Sequence, residues 1–153
     1  MAIDVEVKGL IETQRKMTQM ARDVHGTPIV NAMRDATLIV QRSARQNAPV
    51  DTGRLRASIT PEIRATPVEV VGVVGSNVVY APFVEMGTRP HFPPTAALET
   101  WAARHGLVAF LVARAISRRG IRAVRFLQRA FEDNRGRIVN RFERAIKEIV
   151  DKK

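Results

Sequence analysis

The chain has 153 residues, 45% hydrophobic and 26% charged, so it can close one ordinary core and is not globally disordered. It has no cysteine, which excludes a disulfide framework, thiolate metal sites and cysteine nucleophiles, and aromatics are only 5%, so the core is expected to be mostly aliphatic. Net charge is +10, and no apolar run approaches the roughly 20 residues of a membrane span.

The opening MAIDVEVKGL has no basic stretch followed by an apolar one, so no signal peptide is expected, and the protein is expected to be made and used in the cytoplasm. Ile3, Val5 and Val7 alternate with Asp4, Glu6 and Lys8, the pattern of a short strand that Gly9 breaks. A helix follows from about Leu10 to Val24. Thr27-Pro28 reads as an N-cap with proline at the first helical position, opening a second helix that runs to about Asn47. Its apolar stripe is Ile29, Ala32, Met33, Ala36, Ile39, Val40 and Ala44, and Pro49 marks its end.

In RLRASI, Leu55, Ala57 and Ile59 alternate with Arg54, Arg56 and Ser58, which predicts a half-buried strand. The β-branched run Val68 to Val74 is expected to be the central strand of an antiparallel meander. Around Pro82 a single helical turn is expected, then an extended, proline-rich connection. Helices are predicted at Thr95–Arg104, Leu107–Ser117 and Arg135–Val150, the last carrying Ile138, Phe142, Ile146 and Ile149 on one face.

The charge is unevenly placed. Residues 98–130 carry seven arginines against Glu99 alone, +6 of the +10. Such a field suits an acidic partner, nucleic acid or protein, and equally a solvated helix face. Arg114, Arg118, Arg119, Arg122, Arg125 and Arg129 are the candidate contacts, because the guanidinium fork matches phosphate and carboxylate. No groove-entering motif accompanies them, and Trp101 and Phe110 read as core or interface anchors.

Asp51-Thr52-Gly53 is the triplet of the aspartic proteases, whose chemistry needs two carboxylates sharing a proton. It occurs once, and Arg54 beside it would hold the aspartate ionised. The triplet therefore reads as a turn, with Asp51 or Thr52 bonding nearby backbone and Gly53 taking an unusual backbone angle. Asp51 and Glu85 stand in a neighbourhood with Arg54, Arg56 and Arg89, so ion pairs within or between subunits are expected to fix the loop geometry. His25, His91 and His105 lack metal-ligand spacing, GVVGSN opens no phosphate loop, and no serine sits in a nucleophile elbow. No enzymatic activity, metal or cofactor is expected.

Three blocks stand in order: APVDTGRLRASI at 48–59, VGSNVVYAPFVEMGT at 74–88 and VRFLQRAFEDN at 124–134. Together they resemble the tail-component family of long-tailed bacteriophages, whose members are called neck, head–tail joining or tail-completion proteins. Ala48, Pro49, Val50, Asp51, Thr52, Gly53, Leu55 and Ser58 match its first pattern, and Tyr80, Ala81, Glu85, Gly87 and Thr88 its second. Phe126, Leu127 and Ala130 match the third, where Arg125 replaces the usual proline. The resemblance marks 91–122 as an insertion that some members carry. It implies one α+β domain over 1–153, an antiparallel sheet packed against a long helix of the N-terminal half and a C-terminal helix, with the helical insertion added. It further implies a structural virion protein, assembled in the host cytoplasm as a homo-oligomeric, sixfold ring in the neck or at the tail end. Its partners would be the head-closure or connector protein, the tail tube protein and DNA in the lumen. A small basic nucleic-acid-binding protein is the alternative.

Overall fold

The computed structural model describes residues 15, 18, 19, 26–66 and 69–151. The strand expected at 3–7 lies outside them; of the helix expected at 10–24 only 15, 18 and 19 are described, and these are helical. The protein is a mixed α+β chain of long helices and a small antiparallel sheet.

Helix α1 spans Thr27–Asn47. Ala32, Ala36, Val40, Ala44 and Ala48 are buried along it at four-residue spacing, so one narrow stripe of small side chains faces inward. The Val30 N–H bonds the Gly26 carbonyl at 3.1 Å, so Gly26, not Thr27, is the residue that precedes the helix. Pro49 follows Ala48, whose N–H makes the last helical bond, 2.9 Å to Ala44.

The chain divides into two compact units. One comprises Met1–Arg42, Thr60–Val74 and Asp133–Lys153. Here the hairpin of β1 (Ile59–Ala65) and β2 (Val70–Ser76) closes where the Thr66 N–H meets the Glu69 carbonyl at 2.7 Å. Gly72 of β2 lies so near α1 that a Cβ there would come within 2.6 Å of the Thr37 methyl and 2.9 Å of Met33 Cγ. Asp35 of α1 accepts from Arg141 Nε at 2.6 Å, and Ala145 and Ile149 beside it are buried. Among the described residues the sheet has two strands, so β2 is half of a hairpin, not the centre of a meander. Pro61 lies inside β1, which has one strand neighbour among the described residues, the edge position that proline suits.

The second unit comprises Ser43–Ile59 and Gly75–Glu132. Arg54–Ser58, expected as a strand, forms a short helix, α2. Leu55 and Ile59 are buried while Ala57 is exposed, which is the four-residue spacing of a helical turn rather than strand alternation. Helix α3 is Ala81–Met86, as expected around Pro82. In the insertion, α4 (Thr95–Arg104) packs against α5 (Ala109–Arg119). Helix α5 starts later than expected because the Leu107 N–H turns back onto the Ala102 carbonyl at 2.8 Å. Trp101 and Phe110 are 36% and 55% exposed, so neither is a core anchor within the chain.

The last helix, α6, spans Phe126–Asp151 and begins well before the expected Arg135. Phe126, Ala130 and Asn134 are buried at four-residue intervals and extend the inward stripe backwards to the helix start. Ile146, expected on the inner face, is 52% exposed, and Ala145 takes its place. Phe126 and Ile59 are the largest fully buried side chains; the rest of the buried apolar set is mostly alanine.

Candidate assembly interface

The second motif block forms a backbone clamp. Val84 and Glu85, at the end of α3, offer their carbonyls to the N–H groups of Val124 and Arg125 at 2.9 and 3.1 Å. Thr88 exchanges bonds with Ile121, N–H to carbonyl in both directions at 2.9 and 3.2 Å, and its hydroxyl oxygen also accepts from Ile121 N–H at 3.1 Å. The two stretches lie too close for side chains between them. A Cβ on Gly87 would lie 2.7 Å from the Ala123 nitrogen, and one on Gly120 would strike the Thr88 carbonyl. Both glycines also have positive φ, +73° and +68°, so glycine is required on two grounds.

Glu85 completes the clamp. Its Oε2 accepts from Leu127 N–H and its Oε1 from Gln128 N–H, both at 2.9 Å. These amides belong to the first turn of α6, where N–H groups have no partner inside the helix and the helix dipole favours a negative charge. Glu85 is therefore an N-terminal cap delivered from another element. Within the chain, Glu85 caps α6 and makes no ion pair with a neighbouring arginine among the described residues. Arg125 stands at φ +55° and uses its N–H in the clamp. Proline allows neither, which accounts for its replacement here.

The first block holds a different joint. Gly53 has φ +80°, the angle the turn reading required, and opens α2 by accepting from Ala57 N–H at 3.0 Å. The Ser58 hydroxyl bonds the Leu55 carbonyl at 2.8 Å and lies 2.7 Å from the Ser76 hydroxyl. The Arg45 guanidinium donates twice to the Ile59 carbonyl, at 3.2 and 2.8 Å. Asp51 pairs with Arg104 of α4 through both carboxylate oxygens, Oδ1 lying 3.1 Å from Nε and Oδ2 receiving Nη2. That hydrogen bond holds the Asp51 carboxyl below its ordinary value of 3.8 and raises the arginine. Within the chain the partner of Asp51 is Arg104 of α4, and not Arg54, Arg56 or Arg89. Asp51 is thus kept ionised, which is unsuited to the acid half of a carboxylate mechanism.

Around this pair lies a hollow of about 630 Å³. It is lined by Pro49 to Leu55 of the first block, by Tyr80 and Val84, and by Leu98, Trp101, Arg104 and His105 of the α4 region. Trp101 stacks on His105 with ring centroids 4.3 Å apart, and His105 Nδ1 bonds the Trp101 carbonyl at 2.8 Å. The structure thus brings the first block and Tyr80 together, and puts Glu85, Gly87 and Thr88 in the clamp beside them. Arg104, Gly120, Arg45 and Ser76 were missed from sequence. Only Gly120 had a local signal there, as the stop after Arg118-Arg119.

Arg114, Arg118, Arg119, Arg122, Arg125 and Arg129 are all exposed, and none has an ion-pair partner among the described residues. The same unit exposes large apolar groups: Val79 at 87%, Met86 at 73%, Phe83, Phe92, Phe110 and Leu111 above half. Among the described residues no group of three or more acidic, histidine or cysteine side chains could hold a metal, and no helix is long and apolar enough to cross a membrane.

The motif residues thus cap a helix and join backbones, and the exposed arginines named above have no ion-pair partner among the described residues. The sequence model for bacteriophage HK97-gp10 and its like, described as tail components, matches residues 11–87. The chain belongs to this family of phage tail components. The match takes in the first block and the second up to Gly87, and stops short of the insertion and of α6. No curated protein and no solved structure matches the chain.

Proposed function

We propose that the protein is a neck or tail-completion component that forms a homo-oligomeric ring, sixfold in symmetry, between the tail tube and the head connector. Assembly takes place in the host cytoplasm, and the ring's neighbours are the tail tube protein and the head-closure or connector protein. The observation that carries this reading, beyond the family itself, is the exposed apolar surface of the second unit. Val79, Phe83 and Met86 are each more than half exposed in one chain. Large exposed apolar side chains suit interaction sites, and a ring needs two different patches per subunit, one for each neighbour. The clamp at Glu85, Gly87 and Thr88 and the joint at Asp51 would give each subunit the fixed shape that a closed ring demands.

Deleting the gene and examining particles by negative-stain electron microscopy tests the proposal. Filled heads and tails that fail to join, or tails of uncontrolled length, restored by the wild-type gene, are expected. Normal joined particles in the deletion strain would sink it. The six unpaired arginines favour one second reading, contact with the DNA end in the ring lumen or with nucleic acid generally. That reading requires DNA affinity with a steep salt dependence that falls when Arg118, Arg119 and Arg122 become alanine. Affinity unmeasurable at low salt removes it.

A further inference from the structure

We infer that the exposed face of α5 receives an acidic, apolar-faced segment of a different protein of the particle, not DNA and not a second copy of this chain. The inference rests on the proposed role at the head–tail junction and names the partner chemistry of its arginine-rich surface.

The face is defined by helical spacing. Phe110, Arg114 and Arg118, and beside them Leu111, Ala115 and Arg119, each run at four-residue steps and are all exposed, while Ala113 is fully buried. The first half of the face is apolar, with Phe110 and Leu111 exposed at 55% and 57%, and the second half is cationic. Phe92 extends the apolar half, its ring centroid 6.2 Å from that of Phe110 at a 59° tilt. Arg118 and Arg119 suit the negative end of the helix dipole, but that accounts for neither Arg114 nor the apolar half.

Charge decides what can cover this face. No aspartate or glutamate occurs between Glu99 and Glu132. The three guanidinium groups of α5 have no ion-pair partner among the described residues. A covering surface must therefore bring carboxylates or phosphates. DNA brings phosphates but offers no apolar surface on its backbone for Phe110, Leu111 and Phe92, which would stay wet. A second copy brings a net charge of +10, and several of its carboxylates are engaged already: Asp35, Asp51 and Glu62 by arginines, and Glu85 by the start of α6. Aromatic and arginine side chains on one desolvated patch are the composition of protein-interface hot spots. An acidic protein segment with apolar anchors satisfies both halves of the face.

Photo-cross-linking tests this on the full chain. Benzoylphenylalanine replaces Phe110, whose exposure lets the substitution fold, and a second chain carries it at Val139 as a control. Purified particles containing each chain are irradiated and the linked peptides identified by mass spectrometry. The expected result is a link from position 110 to a different particle protein, within a segment of net negative charge. Adding Arg118→Glu and Arg119→Glu should lower the yield of that link at least tenfold. A link to DNA, to a second copy, to a segment without net negative charge, or no link at all in particles that contain the chain overturns the inference and leaves the junction role standing. Should the doubly reversed chain fail to enter particles, the native-arginine chain decides alone. Absence of the chain from purified particles overturns the junction role, and this inference with it.

Discussion

Asp51 shows how a motif residue can look chemical and be mechanical. Its carboxylate is held ionised by Arg104, so its folded value lies below the ordinary 3.8, while an unfolded chain would protonate near that value. The stabilising contribution is therefore present above about pH 3.8 and is lost as pH falls through the depressed folded value. Comparing melting temperatures of the parent and Asp51→Asn from pH 6 to pH 3 should show a gap that narrows on acidification. It should also narrow in high salt, since the pair is exposed. A gap that stays constant across both series would show that the pair adds nothing. Arg125 makes a sharper case, because φ +55° and a used N–H both exclude proline. Arg125→Pro should cost about 3 kcal/mol or more in urea unfolding, whereas Arg125→Gly should stay within about 1 kcal/mol of the parent. At this scale the sequence singled out Asp51 and Glu85 but not the groups to which they are joined. The turn at Gly53 could be read from Pro-Val-Asp-Thr-Gly itself. The partner of Asp51 lies 53 positions along the chain, and no local pattern points across that distance.

Among the elements, the helices were the more legible. The stripe of α1 and the proline stop after it are local signals, and Thr95–Arg104 was bounded correctly by Pro94 and Gly106. Two elements were misread for definable reasons. In RLRASI, Leu55 and Ile59 satisfy a two-residue period and a helical turn alike, and a six-residue run cannot distinguish them. The start of α6 was placed too late because its cap comes from Glu85, remote in sequence, so no capping residue stands in front of Phe126. That cap can be tested. Glu85→Ala should cost about 2 kcal/mol in urea unfolding and speed hydrogen exchange at the Leu127 and Gln128 amides, with Glu85→Gln in between. Unchanged exchange at both amides would refute the capping role. Gly120→Ala should cost at least about 2 kcal/mol, since it combines a positive φ with a clash against the Thr88 carbonyl, and a neutral result would mean the clamp can open.

At the scale of the whole molecule, the family match takes in the first of the three sequence blocks and the second up to Gly87, and the structure gives each of the three a mechanical task. The first closes a joint around Asp51 and Ser58, the second clamps 121–128, and the third supplies buried Phe126 and Ala130. What the sequence could not supply was the surface. The exposure of Phe83, Met86, Phe110 and Leu111 depends on how the helices pack, and apolar letters in a helix read as core until that packing is known. The proposed ring accounts for Phe83 and Met86, since each chain would bury one patch on each neighbour, while Phe110 and Leu111 belong to the face proposed for a different protein. In the free state the same surface should associate with concentration, and sedimentation velocity should show the mean size rising where a monomeric fold would stay constant. The central claim is tested most directly by cryo-electron microscopy of intact particles at the head–tail junction. The account predicts a closed ring of density, missing in particles made without this chain, into which copies of the α1, α5 and α6 helices fit. Junction and tail density fully explained by other proteins, and unchanged by removal of this chain, would contradict it.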